Sequence, residues 1–383
     1  MKIIHLCLEA PYNDYWGYQD NLLPKYHRKL GHEVTVITTN TKHHEGKIIE
    51  TDIGDYYLND GQRIVRLAPI NYKPKKIFKI FRVFNIYNLL CDIKPDFIMV
   101  HGLGSFSVLQ IAKYKKKVNP KCRIIADNHL DYNNAKLKSS LKFNLYRYTL
   151  RLLNKYMQKQ YDKVYGVTPW REEYAREFFG IQASKTGVLF MGADDEKIQF
   201  ELREQIRSKI RDNYHILDNE FLIVTGGKIE KNKNIQTLIE SVKDIPNVKL
   251  LIFGAIGNDM KEEMKKYQNE ERIIFTGWIP SDEVYNYFLA ADMAAFLGGH
   301  SVLWEQACAC KIPCIFKYWE KMDHFDLGGN CYFVYKNDSK EISNLFESII
   351  SDNEKYQHML EAANSEKAEK FFYSRIAMEC LEV

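Results

Sequence analysis

Phe221-Leu222-Ile223-Val224-Thr225-Gly226-Gly227-Lys228-Ile229-Glu230-Lys231-Asn232-Lys233-Asn234 is the stretch that decides the reading of this chain. Consecutive apolar residues, a glycine pair and a basic loop run into the helical pattern Ile235–Val242, which spells strand, turn and helix. The pattern then repeats. A strand over residues 249–253 ends at Gly254, one over 273–275 ends at Gly277, Met293–Phe296 leads into Gly298-Gly299, and 314–316 closes the series. Helical patterns over 282–290 and 301–310 separate them, and a charged helix over 201–214 precedes them. Strands alternating with helices imply a parallel sheet covered on both faces.

Working back toward the start, a similar pattern precedes it. Residues 3–8, 33–38, Arg63–Leu67, Phe97–His101 and 122–127 read as strands. A crossover helix over 21–30 is closed by Gly31, and 137–163 is a long helical pattern rich in Lys, Arg, Tyr and Leu. Gly192 and the acidic run Asp194-Asp195-Glu196 interrupt the alternation. The expectation is a first α/β domain over 1–195, a second over 196–365, and a terminal helix over 366–383 that packs back toward the first. Two doubly wound units of this kind face a central cleft, with ligands held outside the carboxyl ends of the strands.

At 383 residues the chain is long enough for two cores. No apolar run approaches the ~20 residues of a membrane span, and the start reads as a strand rather than a secretory signal. The eight cysteines lack the spacing of a disulfide framework, which suits a reducing cytoplasm. Cys308, Cys310 and Cys314 are close in sequence, but no Cys-x-x-Cys pair accompanies them, so core packing outweighs a zinc site.

The net charge of +4 hides an asymmetry. Residues 1–190 hold 31 Lys and Arg against 17 Asp and Glu, whereas the remainder holds 23 against 33. A basic half suits an anionic partner, and the acidic second half argues against nucleic acid. The basic, aromatic-interleaved stretches 73–84 and 136–159 suit an anionic membrane surface; the alternative is that their lysines simply solvate helix faces.

No Gly-x-Gly-x-x-Gly follows a first strand and no Walker-type Gly-Lys-Ser/Thr is present, which argues against dinucleotide-dependent dehydrogenases and P-loop enzymes. Instead Lys228 and Lys233 can aim two ammonium groups at one anion beside Gly226-Gly227, as the departure of a diphosphate requires. Gly298-Gly299-His300-Ser301-Val302 opens a helix whose first amides suit phosphate. Glu305, one turn inside, lies between Trp304 and the small apolar run Ala307–Cys310, where its carboxylate can accept hydrogen bonds from ribose hydroxyls.

These residues resemble the retaining glycosyltransferases of family 4, which have the GT-B fold of two Rossmann-like domains. In that family an Arg and a Lys five residues apart bind the donor diphosphate; Lys228 and Lys233 stand at that spacing, with Lys in place of Arg. Glu305 matches the second Glu of the family's Glu-x7-Glu motif, but Leu297 stands where the first belongs, and Gly299, His300 and Ser301 are candidates for that contact. Gly17-Tyr18-Gln19 resembles the glycine loop that approaches donor phosphate. Met191-Gly192-Ala193-Asp194 resembles the domain junction, and Phe275-Thr276-Gly277-Trp278-Ile279 the segment that reads the nucleobase. Residues 123–129 resemble the strand ending in a His beside the donor sugar, which makes His129 a catalytic candidate with Lys228, Lys233 and Glu305; His101 competes for the role. Gly17, Gly227, Trp278, Ile279, Gly299, His300, Ser301 and Val302 complete the expected donor site.

The resemblance implies a metal-independent transfer from a UDP- or GDP-linked sugar, without a cofactor, to a saccharide or lipid-linked acceptor in surface polysaccharide or glycolipid synthesis. The expected setting is cytoplasmic, at the inner face of the cell membrane. Nucleotide-sugar epimerisation and non-catalytic nucleotide-sugar binding are the alternatives.

Overall fold

The computed structural model describes residues 1–44, 46–70, 83–133 and 141–382. They form two compact units, one of Met1–Phe190 with Ile376–Val383 and one of Met191–Arg375.

The first unit is built on an eight-stranded sheet. Its strands are β1 (Lys2–Cys7), β2 (Glu33–Thr39), β5 (Gly54–Tyr57), β6 (Arg63–Leu67), β7 (Phe97–His101), β8 (Arg123–Asn128), β9 (Lys163–Gly166) and β10 (Thr186–Val188); β3 (Thr41–His44) and β4 (Lys47–Glu50) form a separate hairpin. The order is β10-β9-β8-β7-β1-β2-β6-β5, parallel except for β5. Apart from its first residue, β1 is buried along its whole length, as expected of a strand with helices on both faces. Five of these strands were legible from apolar runs. The hairpin, β5, β9 and β10 were not; in the hairpin and β5 the Lys, His, Asp and Tyr side chains are mostly exposed and no core face imposes a pattern, and β9 and β10 are only four and three residues long.

The second unit has the all-parallel order β13-β12-β11-β14-β15-β16. Its strands are β11 (Phe221–Gly226), β12 (Val248–Phe253), β13 (Ile273–Gly277), β14 (Met293–Phe296), β15 (Cys314–Lys317) and β16 (Cys331–Val334). This is the doubly wound dinucleotide-fold order, whose ligand crevice opens where the strand sequence reverses direction, between β11 and β14. In the first unit the reversal lies between β1 and β7. Cys308, Cys310 and Cys314 are all buried in the second unit, as core packing requires.

Several expected boundaries move. The first unit ends at Phe190 rather than 195, because Ala193 is tied into the second unit: its N–H donates to Phe371 O (2.8 Å) and its C=O accepts from Tyr373 N–H (3.1 Å). The expected terminal helix splits. Glu366–Phe371 is a 3-10 segment of the second unit, and only Ile376–Val383 joins the first, where Arg123 donates to Leu381 O at 2.7 Å. The long pattern over 137–163 is helical over Leu141–Met157; Asp162 N–H then donates to Ile124 O and draws the chain into β9. Within the basic stretch 73–84, residues 73–82 lie outside the described residues, and Phe84 is a fully buried core side chain rather than a surface anchor. Residues 136–140 of the second basic stretch also lie outside the described residues.

Candidate active site

In the second unit, the loops after β11 and β14 meet at the strand reversal and are joined through backbone. Gly299 N–H donates to Asn232 O (3.0 Å), Asn234 Nδ2 to Leu297 O (2.7 Å), Trp319 Nε1 to Gly298 O (3.1 Å) and Lys233 Nζ to Gly299 O (2.8 Å). A Cβ on Gly298 would lie 2.4 Å from Asn232 O and Lys233 Cα, so no larger residue fits without parting the loops. Gly227 turns the chain with φ +101°, a conformation side chains rarely adopt. Gly299 differs from Gly298, since its nearest neighbour would be 3.9 Å from an added Cβ.

The two lysines hold unequal positions. Lys228 is largely exposed and ion-paired with Glu230, which raises its pKa. Lys233 is more enclosed, and burial lowers its pKa against an opposing pull from Glu230. Glu305 is fully buried at the start of the helix Leu303–Ala309, and both of its oxygens face His300 Nε2, at 2.9 and 3.1 Å. That nitrogen must carry a proton, since it lies against two acceptors. The His300 ring stands edge-on to Trp304, with centroids 5.4 Å apart. The Glu305 carboxylate, expected to be open to a ribose, is therefore covered by His300.

Leu297, where the first motif Glu was expected, is a core side chain with 1% exposure. Ser301 and Val302 form the turn ahead of the helix, which starts at Leu303 rather than 301. Trp278 is 73% exposed and Ile279 half-buried, beyond the carboxyl end of β13.

In the first unit the strand reversal gathers side chains instead. Asp127, at the end of β8, is fully buried. It accepts from Gly102 N–H (3.1 Å) and Gln19 Nε2 (3.4 Å), lies 2.7 Å from His101 Nδ1, and has His129 Nε2 at 3.4 Å. Burial alone would raise its pKa, but His101 and His129 hold the carboxyl well below the usual range. The two competing histidines thus sit on one carboxylate: His101 is 8% exposed, whereas the His129 side chain is 40% exposed. Glu9, just after β1, accepts from the amides of Gly104 (2.5 Å) and Ser105 (2.8 Å). It fills the notch left by Gly102, where an added Cβ would lie 2.4 Å from its carboxyl carbon. The crowded surroundings push its carboxyl up to about 7, although the residue still reaches solvent. Gly17 lies half-buried in the bend before the helix Gln19–Lys29.

Asp127 and Glu9 were not singled out in the sequence, and Gln19 entered only within Gly17-Tyr18-Gln19. No motif marks Asp127 or Glu9, because apart from His129 their partners lie 25 to 108 positions away along the chain; only the strand-end rule pointed to their neighbourhood. His101, Asp127 and His129 each offer an atom within 4.8 Å of the others. Donors on one tetrahedral zinc ion stand roughly 3.3 Å apart, by its usual bond lengths. The 2.7 Å His101–Asp127 separation is instead that of a charge-assisted hydrogen bond.

Two family models match the chain: Glycosyltransferase Family 4 over residues 22–197 and Glycosyl transferases group 1 over residues 206–366. The capsular polysaccharide biosynthesis glycosyltransferase CapM of Staphylococcus aureus is 28% identical over 209 residues, 52% of this chain and 54% of the relative. Alpha-monoglucosyldiacylglycerol synthase of Streptococcus pneumoniae is 30% identical over 113 residues, 28% of this chain and 25% of that one. The chain thus spans about half, or less, of the length of these relatives. Anabaena HepE, solved in complex with UDP, superposes with a TM-score of 0.70 at 14% identity, covering 100% of this chain and 99% of that one. The chain belongs to the glycosyltransferases of family 4, group 1, and has the GT-B fold.

Proposed function

We propose that this protein transfers a sugar from a nucleotide diphosphate donor to a saccharide or lipid-linked acceptor, with retention of configuration and without a metal ion. The observation that carries the reading is the pair of joined loops at the second unit's strand reversal, which brings Lys233, Gly299 and the His300–Glu305 pair together. As the bond from the sugar to the diphosphate breaks, negative charge grows on the phosphate oxygens. Lys228 and Lys233 neutralise it, Lys228 by exchanging Glu230 for phosphate. The ribose hydroxyls are taken by Glu305 once the His300 ring swings aside, and His129 hydrogen-bonds the transferred sugar. The matches to a capsular polysaccharide glycosyltransferase and to a glycolipid synthase, and the UDP bound to HepE, support this assignment.

A peripheral membrane setting is part of the proposal. The helix Leu141–Met157 has no acidic residue and exposes Leu145, Tyr148, Leu152 and Tyr156 along one stripe, beside the exposed Arg147, Arg151 and Lys155. Among the described residues no helix is long and apolar enough to cross a bilayer. An amphipathic surface of this kind binds anionic lipid by combining apolar area with charge. Co-sedimentation with anionic and neutral liposomes tests it; equal binding to both contradicts it.

Epimerisation is the second reading, because Glu9 and His129 both reach solvent at the first unit's strand reversal, where they could act as an acid–base set. Incubating a nucleotide-sugar without acceptor separates the two: an epimer formed at a catalytic rate favours the second reading. The donor is identified by a thermal-shift panel of UDP-, GDP- and dTDP-sugars, in which one base class alone stabilises the protein strongly. No stabilisation by any of them contradicts the proposal.

A further inference from the structure

Under the first unit's strand reversal runs a buried line of groups that the transfer reading does not use. His27 Nε2 is 3.0 Å from Ala377 O, and His27 Nδ1 is 2.9 Å from His5 Nε2. His5 Nδ1 is 3.0 Å from His101 Nε2, and His101 Nδ1 is 2.7 Å from Asp127 Oδ2. The rings come from three elements, β1, the helix Gln19–Lys29 and β7, and His5, His27 and Asp127 are completely buried.

The line has a fixed demand for protons. Its four contacts need four protons, and both of its ends, a carbonyl oxygen and a carboxylate, only accept. Three neutral imidazoles supply three. A contact left without its proton would press two lone pairs together in a dry interior, at the desolvation cost of both. Filling all four contacts therefore takes one extra proton, which makes one ring an imidazolium and balances Asp127. The shortest contact, His101–Asp127, is where such a charge-assisted bond belongs.

We propose that His5 and His27 are positioning residues that store one proton beneath the first unit's strand reversal, keeping His101 an imidazolium and Asp127 an anion whose second oxygen faces His129. The electrostatics run the same way. Burial alone would lower His101, but Asp127 raises it above the ordinary value. Burial and the neighbouring histidines lower His5, and burial takes His27 down to about 4. The other titratable groups facing the line are Asp20, Cys7, Glu9, His129, His32 and Cys380.

Cys380 supplies the discharged form. Its Sγ lies 3.3 Å from His27 Nε2. When the thiol donates to that nitrogen, His27 donates to His5, His5 to His101 and His101 to Asp127; those contacts are filled by neutral rings, and the contact to Ala377 O is the one given up. Passing from the first form to the second, His101 gives its Nε2 proton to His5, His5 gives its Nε2 proton to His27, and one proton leaves His27 Nε2 for solvent. Only protons move.

The test has two arms, and only the kinetic one rests on the transfer reading. Nitrogen-15 NMR of the imidazoles in the full chain at pH 7, without ligand, should show His101 protonated on both nitrogens and His5 and His27 on Nε2 alone. A neutral His101 overturns the proposal whatever reaction the protein performs. In the kinetic arm, His27→Phe removes the Ala377 end, so two neutral rings fill the two contacts that remain. The alkaline limb of kcat/KM should then move down by about one pH unit or more, the usual size for losing such a partner. His27→Gln can donate to Ala377 O and accept from His5, and should leave the limb in place. Equal loss of activity at every pH in both variants, with no movement of the limb, makes the line merely structural and overturns the proposal. If His27→Phe fails to fold, the NMR result and the His27→Gln profile still decide.

Discussion

The two units put their polar groups at the same topological place, the strand reversal, and hold them in opposite ways. In the second unit, loops are tied at backbone carbonyls around Gly298, and Lys228 extends into solvent. In the first, side chains from β1, β7, β8 and the first helix converge on one buried carboxylate. A backbone-built edge suits a ligand whose charge and shape repeat from donor to donor. A buried side-chain network fixes charge and tautomer, at the risk that every member must be satisfied.

The largest expected effect tests that risk. Asp127→Ala leaves the His101 side of the network uncompensated and should lower the first unit's stability by about 3–5 kcal/mol, as for a broken buried ion pair. Unfolding followed separately in each unit should show the second unchanged and its nucleotide-induced stabilisation retained. Equal destabilisation of both units would erase the contrast. Next, Gly298→Ala should cost about 1–3 kcal/mol in the second unit by overpacking, and abolish nucleotide binding. Gly299→Ala should be nearly neutral in stability, because its Cβ meets only ordinary contacts. Calorimetric unfolding of the two variants checks the difference.

A pH series sharpens the comparison further. His27 is neutral in the fold down to about 4, whereas an unfolded chain takes up that proton below about 6.5. Stability of the first unit should therefore fall as pH drops from 6.5 toward 4, by about 1.4 kcal/mol per pH unit for such a ring. His101 acts in the reverse sense: its contribution is present below the ordinary histidine range and is lost as pH rises through its raised value. His27→Gln should remove one ring's share of the acid slope, and an unchanged slope would remove His27 from the account. The smallest effect belongs to Lys228. Glu230→Gln frees it from its ion pair and should tighten nucleotide diphosphate binding only roughly two- to five-fold, as expected at an exposed pair.

What was legible in the sequence follows the same division. Five of the second unit's strands, its glycine pairs and Lys228, Lys233 and Glu305 lie in continuous runs, so local pattern and short-range spacing revealed them, whereas β16 (Cys331–Val334) went unread. The covering of Glu305 by His300 was not legible, since helical spacing does not say which way a ring turns. In the first unit His129 and His101 were found as strand-end histidines, and Gln19 only as a neighbour of Gly17. Asp127 read as the last residue of a strand, and His5 as one polar residue in an apolar run. Their partnership depends on the parallel register that sets His101 beside Asp127, which no short-range pattern encodes. The unit boundary was missed by a few residues because the ties of Ala193 run to 371–373, far along the chain.

The central claim is that the joined loops of the second unit bind the donor's nucleotide diphosphate. Its most direct test is calorimetric titration of the stabilising nucleotide into the wild type, Lys233→Ala and Glu305→Ala, with the fold of each verified by circular dichroism. The account predicts an affinity loss of about ten-fold or more in both variants, at least 1.4 kcal/mol of binding free energy. Unchanged affinity in both folded variants would contradict it.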